Sequence, residues 1–297
     1  MSRVATALGA LVISATIGPA RAGECLFEPQ GEGHVAEIID GRSFRLADGR
    51  EIRLVGIEAT AASRTALNAI VAGQDVSLRG TDDVPDRYGR QAAFVFVGPS
   101  ETPVQARLLA EGVALASPEI ADKACSTLLL IAEADARGAK RGIWNDPTVI
   151  KNAESPDDIL TGIGRFTVVE GKVLSVRQAG ATTYLNFGRN WTRDFAVTIS
   201  RRNMAAVESA GMTLKSLENR RIRIRGWVEV HPGPRIEVMR ALSEGYEATL
   251  AAEHQELEEQ IAQLWDEQRN ARAMLRFGDR DVIIQKARQE ERLSRAA

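Results

Sequence analysis

The stretch His34-Val35-Ala36-Glu37-Ile38-Ile39-Asp40-Gly41-Arg42-Ser43-Phe44-Arg45-Leu46-Ala47-Asp48-Gly49-Arg50-Glu51-Ile52-Arg53-Leu54-Val55 decides the fold. Three alternating runs, at 34–39, 43–46 and 51–55, are separated by Asp40-Gly41 and Asp48-Gly49. Side chains along a strand point to opposite faces in turn, and Asp-Gly suits a hairpin turn, so the reading is a three-strand meander. Working outward, 62–72 carries a helical period and 75–78 reads as a strand. A turn at 85–89 leads into a further strand at 91–97, and helical spacing returns at 104–111 and 126–136. Gly142 and Pro147 bracket the exit from the last helix. The first unit is therefore mainly β with α, strands first and helices after.

Residues 148–163 read as a linker, and 164–245 is almost wholly β-patterned. Runs at 166–176, 183–187, 194–199, 221–230 and 235–239, with one helical insertion at 204–210, suggest a second small closed barrel of the OB type. From 246 to 297 the pattern changes again. Leu250, Leu257, Leu264 and Ala271 recur every seven residues, and His254, Ile261, Gln268 and Leu275 follow each by four. This is an a/d seam over 247–277, open to two readings: self-association or a protein partner through a coiled coil, and a helix docked on its own barrel.

Composition narrows the function. With 38 Lys+Arg against 40 Asp+Glu and 44% hydrophobic residues, the chain is neither a disordered polar polymer nor collagen-like. Two cysteines cannot build a zinc ribbon, and three histidines show no metalloprotease spacing. The basic excess lies in 151–245, which has 15 basic and 10 acidic side chains. Residues 1–22 combine Arg3, an uncharged apolar run at 4–17 and Ala20-Arg21-Ala22 before Gly23, which is the pattern of a cleaved signal peptide. The expectation is a periplasmic or secreted protein with no membrane span after cleavage. In such a compartment Cys25 and Cys125 can form a disulfide; two buried thiols are the alternative.

Four motifs stand in fixed order: Ile39-Asp40-Gly41-Arg42-Ser43-Phe44, Ile52-Arg53-Leu54-Val55-Gly56-Ile57-Glu58-Ala59, Asp86-Arg87-Tyr88-Gly89-Arg90, and Glu133 through Trp144. In this order they resemble the staphylococcal nuclease (thermonuclease) family over about 33–147. The resemblance implies an OB barrel with helices packed beneath it, giving the domain plan 1–22 signal, 23–147 nuclease-like, 148–163 linker, 164–245 OB-like barrel and 246–297 helical tail. It also implies Ca²⁺-dependent cleavage of DNA and RNA phosphodiesters in active members, with carboxylates on the metal, a glutamate on the water and two arginines on the phosphate. Hard cations favour carboxylate oxygens, and guanidinium forks fit phosphate.

The carry-over is partial. Arg53 and Arg90 match the phosphate arginines. A metal aspartate is replaced by Arg42, Glu58 stands where a second aspartate is usual, Thr60 replaces a proline, and the usual glutamate is Ala61. Glu58, with nearby Asp40, is what remains for a cation. The loop Asp82, Asp83 and Asp86 reads either as a displaced carboxylate site or as a solvated turn. Arg42, Arg53 and Arg90 read either as an anion pocket or as fold-stabilising ion pairs. Loss of the water-positioning carboxylate alone removes about 10²–10⁴-fold.

The stretch Thr183-Tyr184-Leu185-Asn186-Phe187-Gly188-Arg189-Asn190-Trp191-Thr192-Arg193-Asp194-Phe195 resembles the OB-like extension of some exported bacterial relatives. Tyr184, Phe187 and Trp191, interleaved with Arg189, Arg193, Arg221, Arg223 and Arg225, form a candidate surface for single-stranded DNA or RNA. The other reading makes the aromatics core and the arginines a solvated face. Three functions stay open: a catalytically impaired nucleic-acid or anion-binding module, a Ca²⁺-dependent phosphodiesterase, and an envelope scaffold for a protein partner.

Overall fold

The computed structural model describes residues 25, 28–81, 83–118, 120, 122–209 and 213–238. The signal-like segment and the heptad tail lie outside them.

The meander forms as the turn chemistry requires. Strands β1 (Glu28–Ile38), β2 (Ser43–Leu46) and β3 (Glu51–Leu54) pair antiparallel in sequence order. After β4 (Ile57–Ala59) and helix α1 (Ser63–Val71), β5 (Asp75–Gly80) and β6 (Arg90–Val97) complete a closed barrel of order β1-β2-β3-β6-β5. The β3–β6 pair is parallel, and β1 is long enough to pair with both β2 and β5. Phe44, Leu46, Ile52, Leu54, Leu78 and Phe94 alternate inward and fill the barrel. Helix α2 (Val104–Ala110), strand β7 (Ala114–Ala116) and helix α3 (Lys123–Gly138) close its base, with β7 antiparallel to β4. Cys25 and Cys125 are joined in a disulfide. Asp122 caps α3 by accepting from the Cys125 backbone N–H at 2.8 Å, which fixes the helix start at the bridge.

The segment read as a linker is built into the second unit. It holds β8 (Ile150–Asn152) and helix α4 (Pro156–Leu160), and β8 adds a parallel strand to β9 (Phe166–Lys172). The run at 166–176 is split by a bend at Val173-Leu174 into β9 and β10 (Ser175–Ala179). Next come β11 (Thr182–Asn186), β12 (Ala196–Ser200), helix α5 (Arg201–Ser209), β13 (Arg221–Val230) and β14 (Pro234–Glu237). Their sheet order is β10-β11-β12-β14-β13-β9-β8, with β12 and β14 parallel. Since β9 and β10 are halves of one bent segment, the sheet curls back on its own start. The first barrel has the same wiring: first, second, third, fifth, fourth, then first again. Val169, Leu185, Phe187, Phe195, Val197, Ile199, Ile224 and Ile236 form this second core.

A third cluster seals the two units together. Leu115, Ala136 and Trp144 from the first pack on Val168 from the second, flanked by Ile143, Val149, Ile150 and Phe166. Among the described residues, no helix is long and apolar enough to cross a membrane.

Candidate functional site

On the first barrel, the nuclease-like residues collect around β2, β3 and β6. Ser43 stands opposite Arg53 in the β2–β3 register, and Glu51 opposite Arg90 in the β3–β6 register. Arg42, immediately before β2, turns its guanidinium inward. Its Nη1 lies 2.6 Å from Glu58 Oε1 and donates to the Ile57 carbonyl at 3.1 Å. Both side chains are largely buried, Arg42 at 18% exposure and Glu58 at 7%. The Arg42 backbone N–H donates to Asp40 Oδ1 at 2.8 Å, an Asx turn that aims the side chain.

Arg90 is engaged in the same manner. Its Nε and Nη2 donate to Asp86 Oδ2 at 3.0 and 2.8 Å, and its guanidinium lies 5.0 Å from the centre of the Tyr88 ring. The Arg90 hydrogen bond holds the Asp86 carboxyl down to about 2, against an ordinary 3.8. The backbone N–H groups of Arg90 and Tyr88 add to that shift. Asp86 thus serves Arg90, and Asp82 lies outside the described residues.

Two of the three arginines read as an anion pocket are already paired. Arg42 and Arg90 each arrive with a carboxylate partner that an anion would have to displace. Arg53 is half-buried on β3. Ala61 is exposed at the entry to α1 and offers no carboxylate. Thr60 donates from Oγ1 to the Val113 carbonyl at 2.6 Å, anchoring that entry.

Ca²⁺ does not fit this arrangement. Among the described residues no group of three or more His, Cys, Asp and Glu side chains could hold a metal. Glu58 is held by a guanidinium, and any cation beside it would sit within a few ångströms of that fixed positive charge. The repulsion rises as the site is withdrawn from water.

On the second barrel the sequence-picked residues divide by burial. Phe187 is core, 5.2 Å from the Phe195 ring centre. Arg221 and Arg223 share Glu170, with Arg221 Nε at 2.7 Å from Oε1 and Arg223 Nη2 at 2.8 Å from Oε2. Burial raises the Glu170 pKa, but the two arginines outweigh it and leave the carboxyl below its ordinary range. Arg225 lies buried between the units. Its Nη1 and Nη2 meet Glu133 Oε1 and Oε2 at 2.9 and 2.7 Å, and Nη1 donates to the Ala116 carbonyl at 3.0 Å. Glu133 Oε1 in turn accepts from the Ala116 N–H at 2.8 Å.

Phe187 and Arg225 are therefore removed from the candidate nucleic-acid surface, and Arg223 is largely covered. What remains exposed is Trp191 at 73%, Arg189, Arg193 and the Glu170-paired Arg221, with Tyr184 half-buried. Arg193 lies 3.8 Å from Asp157.

Tyr184, Arg189 and Trp191 line a groove of about 810 Å³ on the outer face of β10, β11, β12 and β14. The alternation on β11 explains it: Thr183, Leu185 and Phe187 point to the core, leaving Tyr184 and Asn186 outward. Arg177, His231 and Arg235 also line the groove and escape a sequence reading. Arg177 comes from β10 and the other two from the β13–β14 hairpin, and only the strand order brings the two segments together.

A family model described as staphylococcal nuclease homologue matches residues 51–146, about a third of the chain. No curated protein matches the chain. The matched span runs from β3 through α3 to the 3₁₀ turn Gly142–Asn145, taking in Arg53, Glu58, Arg90 and Glu133. By this match and by its closed five-stranded barrel, the chain carries a domain of the staphylococcal nuclease homologue family.

Proposed function

We propose that this is an exported, catalytically impaired member of the nuclease family that acts by binding nucleic acid rather than cleaving it. One observation carries the reading: the Arg42 guanidinium lies 2.6 Å from the Glu58 carboxylate, so a fixed internal cation answers the charge a metal would otherwise balance. Ala61 supports it, because a methyl group neither orients nor deprotonates water. The net positive charge of 151–245 and the signal-like 1–22 segment are consistent with a secreted or periplasmic protein that meets polyanions.

The test is incubation of the purified protein with single-stranded DNA and RNA, in Ca²⁺ and in EDTA, beside an Arg53→Ala/Arg90→Ala variant. Equal, background cleavage by both proteins is the expected outcome. Ca²⁺-dependent cleavage that the variant loses would establish the phosphodiesterase reading instead.

A further inference from the structure

We infer that the groove on the second barrel is the ligand site, and that its ligand is a single-stranded nucleic acid. The inference deepens the binding reading above by moving the contact away from the nuclease-type residues.

The groove has the chemistry such a ligand needs. Its floor is low because the outward residues at its centre are small: Ser175, Ala179, Ala196 and Thr198. In register, Arg177 stands opposite Tyr184 on the neighbouring strand, and Tyr184 opposite Thr198 on the next. Ala196 stands opposite Arg235. Arg177 and Arg235 are thus three strand spacings apart across the sheet, about 14 Å at 4.7–4.9 Å per step, and offset by two residues along it, with Tyr184 on a strand between them. Arg189 and Trp191 come from the 187–195 loop, and His231 from the turn between β13 and β14.

Charge within the lining favours an anion. Three arginines and a histidine face one carboxylate, Asp194, which accepts from the Asn190 N–H at 2.7 Å to shape the loop. Arg235 is also 3.2 Å from Glu229, an exposed partner that water and a phosphate can displace at modest cost. Gly188 permits the loop to close on Asp194, since a Cβ there would stand 2.0 Å from Asp194 Oδ2.

Aromatic exposure selects the kind of polyanion. Trp191 presents a large apolar face to water, and Tyr184 offers a second ring on the floor. Bases stack on such faces with little regard to sequence, whereas an acidic peptide would use the arginines and leave the indole idle. On the first barrel, by contrast, Arg42 and Arg90 are already matched by carboxylates.

The experiment is fluorescence anisotropy on the full purified protein with labelled oligo-dT and oligo-U in EDTA, across a salt series. Variants are Trp191→Ala, Trp191→Phe, Arg189→Gln and Arg53→Ala/Arg90→Ala. Trp191 and Arg189 are exposed, so these substitutions leave the fold intact. The inference expects Trp191→Ala to weaken binding about tenfold and Trp191→Phe to restore most of it. Arg189→Gln should flatten the salt slope by about 0.7. The double arginine variant should bind as the parent does.

Loss confined to Arg53→Ala/Arg90→Ala would overturn the groove assignment while keeping the protein a nucleic-acid binder. Binding unaffected by Trp191→Ala and displaced equally by polyglutamate would overturn the single-strand ligand in favour of an acidic one. Absence of binding to either oligonucleotide would overturn it outright, while the separate cleavage assay would still decide the fate of the nuclease site.

Discussion

The Arg225 guanidinium of the second barrel grips both carboxylate oxygens of Glu133 on α3 of the first, at 2.9 and 2.7 Å, with both side chains removed from solvent. Ala116 completes the arrangement, donating its N–H to Glu133 and accepting from Arg225 through its carbonyl. Breaking a buried ion pair on one side leaves an uncompensated charge. Arg225→Ala should therefore cost about 3–5 kcal/mol in chemical denaturation, whereas Glu133→Leu/Arg225→Met should recover most of that loss. Equal losses for the single and double variants would show instead that the pair stabilises the seam by that amount over its apolar replacement.

The cross-link closes the longest covalent loop in the chain. Cys25 and Cys125 are separated by 100 residues, and constraining a loop of that size in the unfolded chain contributes up to about 4.7 kcal/mol. A Cys25→Ser/Cys125→Ser variant should lose about 4 kcal/mol in guanidinium unfolding. Reductant should lower the parent to the same level and leave the variant unchanged.

Two glycines meet backbone to backbone where the turn after α2 touches the 3₁₀ turn Gly142–Asn145. Gly112 has φ +69°, and a Cβ on it would stand 2.2 Å from the Arg141 carbonyl oxygen. The Ile143 N–H donates to the Gly112 carbonyl at 2.9 Å, so neither segment can retreat without breaking that bond. Gly112→Ala should cost about 3 kcal/mol, from the strained left-handed backbone and the steric overlap together. Thermal unfolding would register it, while Gly49→Ala, at φ +90° with open space around it, should cost less.

Asp86 gives a pH dependence with a definite sign. Its folded pKa, about 2, lies below the ordinary 3.8, so its ionised form is favoured by folding. The associated stability is fully present above about pH 4 and fades as the pH falls toward 2. Side-chain NMR titration should place the Asp86 midpoint near 2 and move it up toward 3.8 in Arg90→Ala. A midpoint unchanged by that substitution would remove Arg90 as the cause.

Local chemistry made much of this fold legible. The Asp-Gly turns set the meander, and the helical period over 62–72 anticipates α1 to within a residue at each end. What sequence could not supply is who covers whom. Arg221, Arg223 and Arg225 do share one face of β13, as alternation requires, but only its Arg221 end is open to solvent. Glu170 from the neighbouring strand covers two of them, and Glu133, 92 residues away, takes the third. Phe187 presents the reverse case: its interleaving with arginines suggests a surface ring, yet the alternation continuing from β11 sends it to the core. Segment 148–163 was misread as a linker because its Pro, Asp and Ser content resembles a loop. The pairing of Ile150 with Val168 builds it into the sheet.

The nuclease-like residues were legible as a departure from pattern, not as a contact. Arg42 was read as a cation in the place of a carboxylate. That it would swing onto Glu58 depends on β4 lying alongside, which only the folded barrel provides.

The seam between the barrels leaves no slack. Trp144 belongs to the interfacial cluster, and Ile150 is already a paired strand residue, so only five residues intervene. The joint is short, and the interfacial cluster packs directly beside it. A strand held in the groove should therefore gain no second, intramolecular contact as it lengthens, because Arg42 and Arg90 on the first barrel are already paired. Affinity that levels off once a strand fills the groove is the signature this architecture would impose on anything it holds.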